Sequence, residues 1–196
     1  MVTKLFESPE LIESEDAFAV YAGVDCFVVG SSDSEAAQRA RLRLSYVEGA
    51  QVDLHMQAVL TTIGTDLATD DVGGMIATAD LIAALEYGGY PTILMSRDML
   101  VHAFAGEYVT RAPDGGLETA NGTRVAGIAW DPAIGPENFF LVGQITLIQG
   151  PIQDHIVPET VLPDGTCVGR RALAERIYVP LIDCLAYAGV ATVTSP

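Results

Sequence analysis

Apolar residues recur at alternating steps of three and four along one stretch of the chain. They are Ala40, Leu44, Val47, Leu54 and Ala58, with Gln51 in the one polar slot. That spacing draws a single stripe along one side of an α-helix. Ser31-Ser32-Asp33-Ser34 supplies the start, with Ser34 or Asp33 as the cap and Glu35 suited to the positive end of the dipole. Gly49 weakens the helix and Gly64 ends it. The predicted length is about 25 residues, or about 38 Å at 1.5 Å per residue. A helix of that reach has to lie across so small a chain as its backbone.

Before it, Phe18 to Val29 is rich in Val, Phe and Tyr and predicts a strand or a hairpin bent at Gly23. A second helix is expected from Met75 to Tyr87, packing Ile76, Ala79, Ile82 or Ala83, and Leu85. Gly88-Gly89 offers a left-handed stop, and Tyr90-Pro91 forbids continuation. Thr92 to Met95 follows as a buried strand, and Ser96 caps a short helix from Arg97 to Ala105, with Asp98 in its first turn. Asp114-Gly115-Gly116 and Asn121-Gly122 are turn signals. Val125–Trp130, Phe139–Gln149, Ile152–Val157 and Leu173–Ala188 read as strands. Helices grouped early and strands late indicate an α+β fold.

Composition narrows the function. The chain has 196 residues, 49% of them apolar and 18% charged, which excludes general disorder and fits one domain or one domain with a small lobe. Asp and Glu number 26 against 10 Lys and Arg, a net charge of −16, and Lys4 is the only lysine. Specific binding of DNA or RNA needs clustered cations and is therefore disfavoured. Residues 1–16 form an acidic arm carrying Glu7, Glu10, Glu13, Glu15 and Asp16. Cys26, Cys167 and Cys184 are too few and too scattered for a disulfide framework and read as buried thiols of a reducing compartment. MVTKLFESPE lacks the apolar core of a secretion signal. The apolar tail from Ile177 is interrupted by Pro180, Asp183 and Gly189 and ends in β-branched residues, so it predicts buried strands and no membrane span.

The search for catalytic chemistry finds little. Phosphate-loop, dinucleotide and nucleophile-elbow motifs are absent. His55, His102 and His155 lie far apart in different elements and lack the close pairing of a zinc site. Asp70-Asp71 ahead of Gly73-Gly74 has the oxygen chemistry for a hard cation, but a capped helix start is the favoured reading. Asp183 in its apolar surroundings is expected to pair with Arg170, Arg171 or Arg176, or to sit at a subunit contact. Asn121-Gly122-Thr123 matches a glycosylation sequon and is better explained as a tight turn. No catalytic residue, cofactor or metal site is expected.

The order of elements in the second half carries a resemblance. Ala79–Ala105, ADLIAALEYGGYPTILMSRDMLVHAFA, has a helix, a glycine turn, a short strand and a small helix. Gly122-Thr123-Arg124-Val125-Ala126-Gly127-Ile128, then FFLVGQITLIQGPI from Phe139, then RRALAERIYVPLIDCLAYAGV from Arg170 follow. Residues 75–188 thereby resemble the C-terminal two-thirds of tailed-bacteriophage major capsid proteins of the Hong Kong 97 type, a fold shared with encapsulin shells. The opening, FESPELIESEDAFAVYAGVDC, is similar to that of short structural proteins of phages infecting actinobacteria.

This resemblance implies an α+β capsid fold with a long spine helix and peripheral and axial lobes. Residues 1–33 would be the N-terminal arm and short strand, 34–74 the spine helix and connection, 75–130 the axial region, and 131–196 a β-rich return to the peripheral domain. With about 33 residues before the spine helix, the N-arm and E-loop are expected to be reduced. The implied function is a non-enzymatic structural subunit that self-assembles into pentamers and hexamers around double-stranded DNA, without binding it specifically. Its place would be the virion, after assembly in the host cytoplasm. Other capsid, scaffold and decoration proteins are candidate partners; a membrane is not. Candidate inter-subunit contacts are Glu7, Glu10 and Glu13 of the arm, Arg39, Arg41 and Arg43 of the spine helix, and Arg170 and Arg171. A minor or decoration protein of the virion, an encapsulin-like shell and a small unrecognised enzyme stay open as rivals. Some members weld subunits through Lys–Asn isopeptide bonds. Lys4, the sole lysine, lies outside the loop where such a bond would form. Boiled, reduced protein from any assembly is therefore expected to migrate as a single 20.7 kDa band; a ladder of multiples would contradict this.

Overall fold

The first helix starts with a capping box. Ser32 Oγ accepts the Glu35 N–H at 3.3 Å, and a Glu35 carboxylate oxygen accepts the Ser32 N–H at 3.1 Å. Two orphan amides of the first turn are thus satisfied reciprocally, and the cap is Ser32, not Ser34 or Asp33. The computed structural model describes residues 12–13, 17–26, 32–87, 89–157, 160–161, 167–168, 170–183 and 185–192. In chain order its elements are β1 (Ile12–Glu13), β2 (Phe18–Cys26), α1 (Asp33–Ile63), β3 (Thr65–Asp71), α2 (Val72–Glu86), β4 (Thr92–Ser96) and α3 (Arg97–Ala105). There follow β5 (Val109–Arg111), β6 (Leu117–Thr119), β7 (Arg124–Ile128), β8 (Asn138–Val142), β9 (Ile145–Gln149) and β10 (Gln153–Val157). The chain closes with β11 (Thr160–Val161), β12 (Cys167–Val168), β13 (Arg170–Ile182) and β14 (Ala186–Thr192). The fold is α+β, and α1, at 31 residues, is about 46 Å long.

The described chain divides into two compact units. One holds Glu15–His55 and Leu147–Val179; the other holds Met1–Ser14, Met56–Thr146 and Pro180–Pro196. In the former, β2 pairs antiparallel with β13 from Arg170↔Cys26 to Tyr178↔Phe18 as one strand, the first of the two forms expected for this stretch. The opposite edge of β13 takes β10, also antiparallel. Side chains alternate across a strand, so Phe18, Val20 and Ala22 face inward with Ala172, Ala174 and Tyr178.

The register puts Arg176 on that same inward face, opposite Val20. Its guanidinium is held by Glu48 of α1 at 3.0 Å and by Gln149 Oε1 at 3.3 Å. Tyr178 donates its hydroxyl to Glu48 at 2.8 Å, and burial, followed by that hydrogen bond, raises the Tyr178 pKa. This pairing corrects the predicted stripe. The buried apolar positions of α1 are Ala36, Ala40, Leu44, Val52, Met56 and Leu60, in steps of four, and Glu48 fills the missing slot. Leu54 and Ala58, on the expected stripe, are exposed.

In the other unit, seven strands form a mixed sheet in the order β3-β14-β8-β4-β7-β6-β5. β3 pairs parallel with β14 and β4 parallel with β7. β3 was not foreseen, because Thr65-Asp66-Leu67-Ala68-Thr69-Asp70-Asp71 has only two apolar side chains. Gly64 precedes it, and a Cβ there would meet the Leu60 carbonyl at 2.6 Å and Ala188 Cβ at 2.9 Å. Any side chain would be excluded there. Met75, Ile76 and Ala79 of α2 and Met99 and Ala103 of α3 pack on Ile93, Met95, Phe139 and Leu141 of the sheet. Asp71 caps α2 by accepting the Gly74 N–H at 2.7 Å, and Ser96 caps α3 by accepting that of Met99 at 3.1 Å. Helix α2 ends on an extended Tyr87, φ −128°, and not on a left-handed glycine: Gly89 lacks a positive φ, and Gly88 lies outside the described residues. Gly115 and Gly122, each at φ +87°, make the two expected turns. The tail from Ile177 is strand, interrupted at Asp183. No helix among the described residues is long and apolar enough to cross a membrane.

Removing one partner of the Glu48–Arg176 pair strands a charge that is mostly shielded from water. Glu48→Ala is expected to cost about 2–3 kcal/mol, read as a lowered denaturation midpoint, and Glu48→Leu with Arg176→Met to recover most of it. A double variant no more stable than Glu48→Ala would contradict the pairing.

Candidate functional site

Successive residues of an α-helix are turned by about 100°, so alternate positions face nearly opposite ways. Arg39 and Arg43 therefore share one face of α1 and Arg41 takes the other. Arg41 forks onto Asp154 of β10, Nε lying 2.9 Å from both carboxylate oxygens and a terminal nitrogen joining the same group. That hydrogen-bonded pair raises the Arg41 pKa and lowers that of Asp154. Arg39 and Arg43 are exposed and meet no carboxylate among the described residues. Leu42 and Tyr46 lie beside them on the same face, exposed by 55% and 77%. The result is an apolar strip running alongside two cations. Sequence reasoning missed Leu42 and Tyr46, although both are apolar residues lying off the buried stripe.

The other candidate contacts are placed less fully. Glu7 and Glu10 lie outside the described residues. Glu13 belongs to β1, whose backbone pairs with Leu181 of β13. Arg170 pairs by its backbone with Cys26, and Arg171, exposed, stands in register with Asp25 and Val157. Nothing in these positions brings Arg170 or Arg171 to the Arg39–Arg43 face.

The titratable residues singled out for chemistry are occupied locally. His55 stacks on Phe18 with ring centroids 3.8 Å apart, and His155 lies 2.9 Å from Glu175. His102 sits in the last turn of α3. No group of three His, Cys, Asp or Glu suited to a metal occurs among the described residues. Asp183 accepts the Tyr87 hydroxyl at 2.6 Å. Tyr87 also receives the Gln144 N–H at 2.9 Å, so it joins the interruptions after β8 and after β13.

One carboxylate was not singled out by sequence. Asp80 on α2 is buried and accepts Thr119 Oγ1 at 2.8 Å and Asn121 Nδ2 at 2.9 Å, tying the β6–β7 turn to the helix. Among the described residues no cation reaches it. It lies in a hollow of about 330 Å³ lined also by Tyr87, Tyr90 and Gly122. A second hollow, about 450 Å³ and mainly apolar, lies between α3 and the β5–β6 hairpin, lined by Leu100, Val101, Phe104, Arg111 and Leu117. Exposed apolar side chains border both, an arrangement suited to contact with another protein surface.

No protein-family profile matches the sequence, and none of the curated proteins does. Solved structures do. One from Mycobacterium phage Cain aligns with 94% of this chain and 74% of its own, at a TM-score of 0.52 and 15% identity. The asymmetric unit of the bacteriophage PhiM1 mature capsid covers 92% of this chain and 72% of its own, at 0.45 and 10%. The capsid structure of cyanophage P-SCSP1u covers 91% and 73%, at 0.47 and 8%. The Cain likeness shows a shared fold.

Arg124 clamps Asp114 across the β5–β6 turn with bonds of 2.9 and 2.6 Å. The Arg124 hydrogen bond, with the Gly116 N–H, lowers the Asp114 pKa from 3.8 to about 2. A depressed carboxyl contributes stability above its unfolded pKa and loses it as pH falls through the folded value. The contribution should thus fade between 3.8 and about 2. Carboxyl NMR should find the Asp114 midpoint near 2 and Arg124→Gln should return it toward 3.8; an unchanged midpoint in the variant would contradict the clamp.

Proposed function

We propose that the chain is a structural subunit of an icosahedral phage capsid, assembling through pentamers and hexamers into a shell around double-stranded DNA. The observation that carries this reading is the fold shared with the Mycobacterium phage Cain structure across 94% of the chain. The ordered resemblance of residues 75–188 to Hong Kong 97-type capsid proteins supports it. In this reading the protein is not an enzyme, resides in the virion, and works by geometry. Heterologous faces close rings, and rings close a shell in which many weak contacts act together. Helix α1 serves as the spine of the peripheral domain, residues 75–130 as the axial region, and 131–196 as the return.

The subunit contacts follow from charge. A copy carries a net −16 and repels its neighbours unless local pairing or salt offsets the field. The Arg39–Arg43 face, with Leu42 and Tyr46 beside its cations, suits an acidic and apolar segment. The arm bearing Glu7, Glu10 and Glu13 of a neighbouring copy has that composition. Arg41 is engaged within its own chain and acts as an anchor of β10, while Arg170 and Arg171 offer a second basic contact. The acidity also suits a container, because a like-charged wall does not trap the genome.

Sedimentation velocity tests this reading. At about 0.5 M NaCl, where the screening length falls to a few ångströms, purified protein should form capsomers or megadalton particles more readily than at about 0.05 M. Arg39→Glu with Arg43→Glu should weaken assembly by roughly tenfold or more. Wild-type protein that stays at 20.7 kDa in both salts would overturn the shell, and unchanged assembly of the variant would overturn the arm contact.

A further inference from the structure

The unit that carries the mixed sheet has two apolar patches at opposite ends of its helix pair. Leu81 and Leu85 lie one turn apart on α2, exposed by 58% and 75%, and Tyr90 just beyond is exposed by 88%. Val101 and Phe104 form the other patch, on α3. The separation follows from Gly73, in the first turn of α2. A Cβ there would fall 2.8 Å from the ring of Tyr108, which follows the end of α3. The C-terminal end of α3 therefore lies by the start of α2. Leu85 is twelve residues further along, about 18 Å down the axis. The hollows beside the two patches share no lining residue.

The patches are also complementary in charge. The hollow beside the α2 patch contains the buried Asp80 carboxylate, which two neutral donors hold and no cation reaches among the described residues. The hollow beside the α3 patch has a single charged lining residue, Arg111, which is exposed and meets no carboxylate among the described residues. A surface that is apolar with an anion at one end and apolar with a cation at the other matches the opposite end of a second copy, and with the ends about 18 Å apart each copy has one end for each of two neighbours. Copies can thereby join head to tail.

We propose that the Leu81–Leu85–Tyr90 end of one copy docks on the Val101–Phe104 end of the next, with Arg111 directed to the Asp80 hollow. This inference rests on the shell-subunit reading for its biological setting and adds the surfaces through which neighbours in a ring meet. A contact between unlike ends has a signature that a contact between like ends lacks, and growth of the wild type beyond a dimer marks it as head to tail. Damage to either end stops growth, but two differently damaged copies still have one intact junction between them.

Leu85→Asp and Val101→Asp change exposed side chains, and unchanged circular dichroism and melting would confirm that each variant is folded. Native mass spectrometry should find each variant alone at 20.7 kDa and their equimolar mixture as a heterodimer of twice that mass, with nothing larger through this contact. A mixture that stays monomeric, or single variants that assemble like the wild type, would overturn the docking. If both variants still form shells, the docking fails and the shell reading stands. If the wild type forms closed rings or open chains but no shell, and the mixture dimerises, the docking stands and the shell reading fails.

Discussion

Antiparallel pairing of β13 with β2 decides which way every side chain of both strands points, and through it where α1 can rest. The register from Arg170↔Cys26 to Tyr178↔Phe18 turns Ala172, Ala174, Arg176 and Tyr178 to the same side. Three of those suit a core; the fourth is a guanidinium. Burying it demands a carboxylate at one level of the covering helix, and Glu48 stands there. A slip of one residue would turn the whole inward set to solvent. A slide of the helix by a turn would part the ions. An apolar seam alone tolerates such slides, so this charged pair specifies one alignment at some cost in desolvation.

The same pair explains what the sequence concealed about α1. A stripe read only from apolar residues passes over Glu48 and is drawn through Val47, Leu54 and Ala58. The buried series runs through Glu48 in steps of four and leaves Leu54 and Ala58 outside. Elements whose determinants are local were legible: the Ser96 cap, the glycine turns at Gly115 and Gly122, and the presence of α1 with its stop at Gly64, although the helix runs longer than its apolar spacing predicted. Elements that depend on distant partners were not. β3 exists because β14 pairs with it, and Asp183 is satisfied by Tyr87, 96 residues away. Candidate contacts were partly legible. Three arginines at alternate positions were visible, but their division into an internally paired Arg41 and an exposed Arg39–Arg43 face required the position of Asp154.

Several strongly polar features serve the fold itself. Asp80 ties the β6–β7 turn to α2, Arg124 clamps Asp114 across the neighbouring turn, and His155 meets Glu175 beside the Arg41 fork. What the described surface offers outward is chiefly exposed Leu, Tyr, Val and Phe side chains with sparse charges set among them. Such surfaces suit contacts between proteins, where affinity comes from anchors excluded from water and charge sets orientation. A chain of net −16 must place its few cations where they count. That Arg39, Arg43 and Arg111 meet no carboxylate among the described residues is consistent with that use.

Cryo-electron microscopy of the purified, salt-assembled protein tests the central claim most directly. The account predicts closed icosahedral particles whose capsomers have five- and six-fold symmetry, each subunit showing one helix of about 46 Å. Fields containing only single 20.7 kDa copies, or closed two-fold dimers that grow no further, would contradict it.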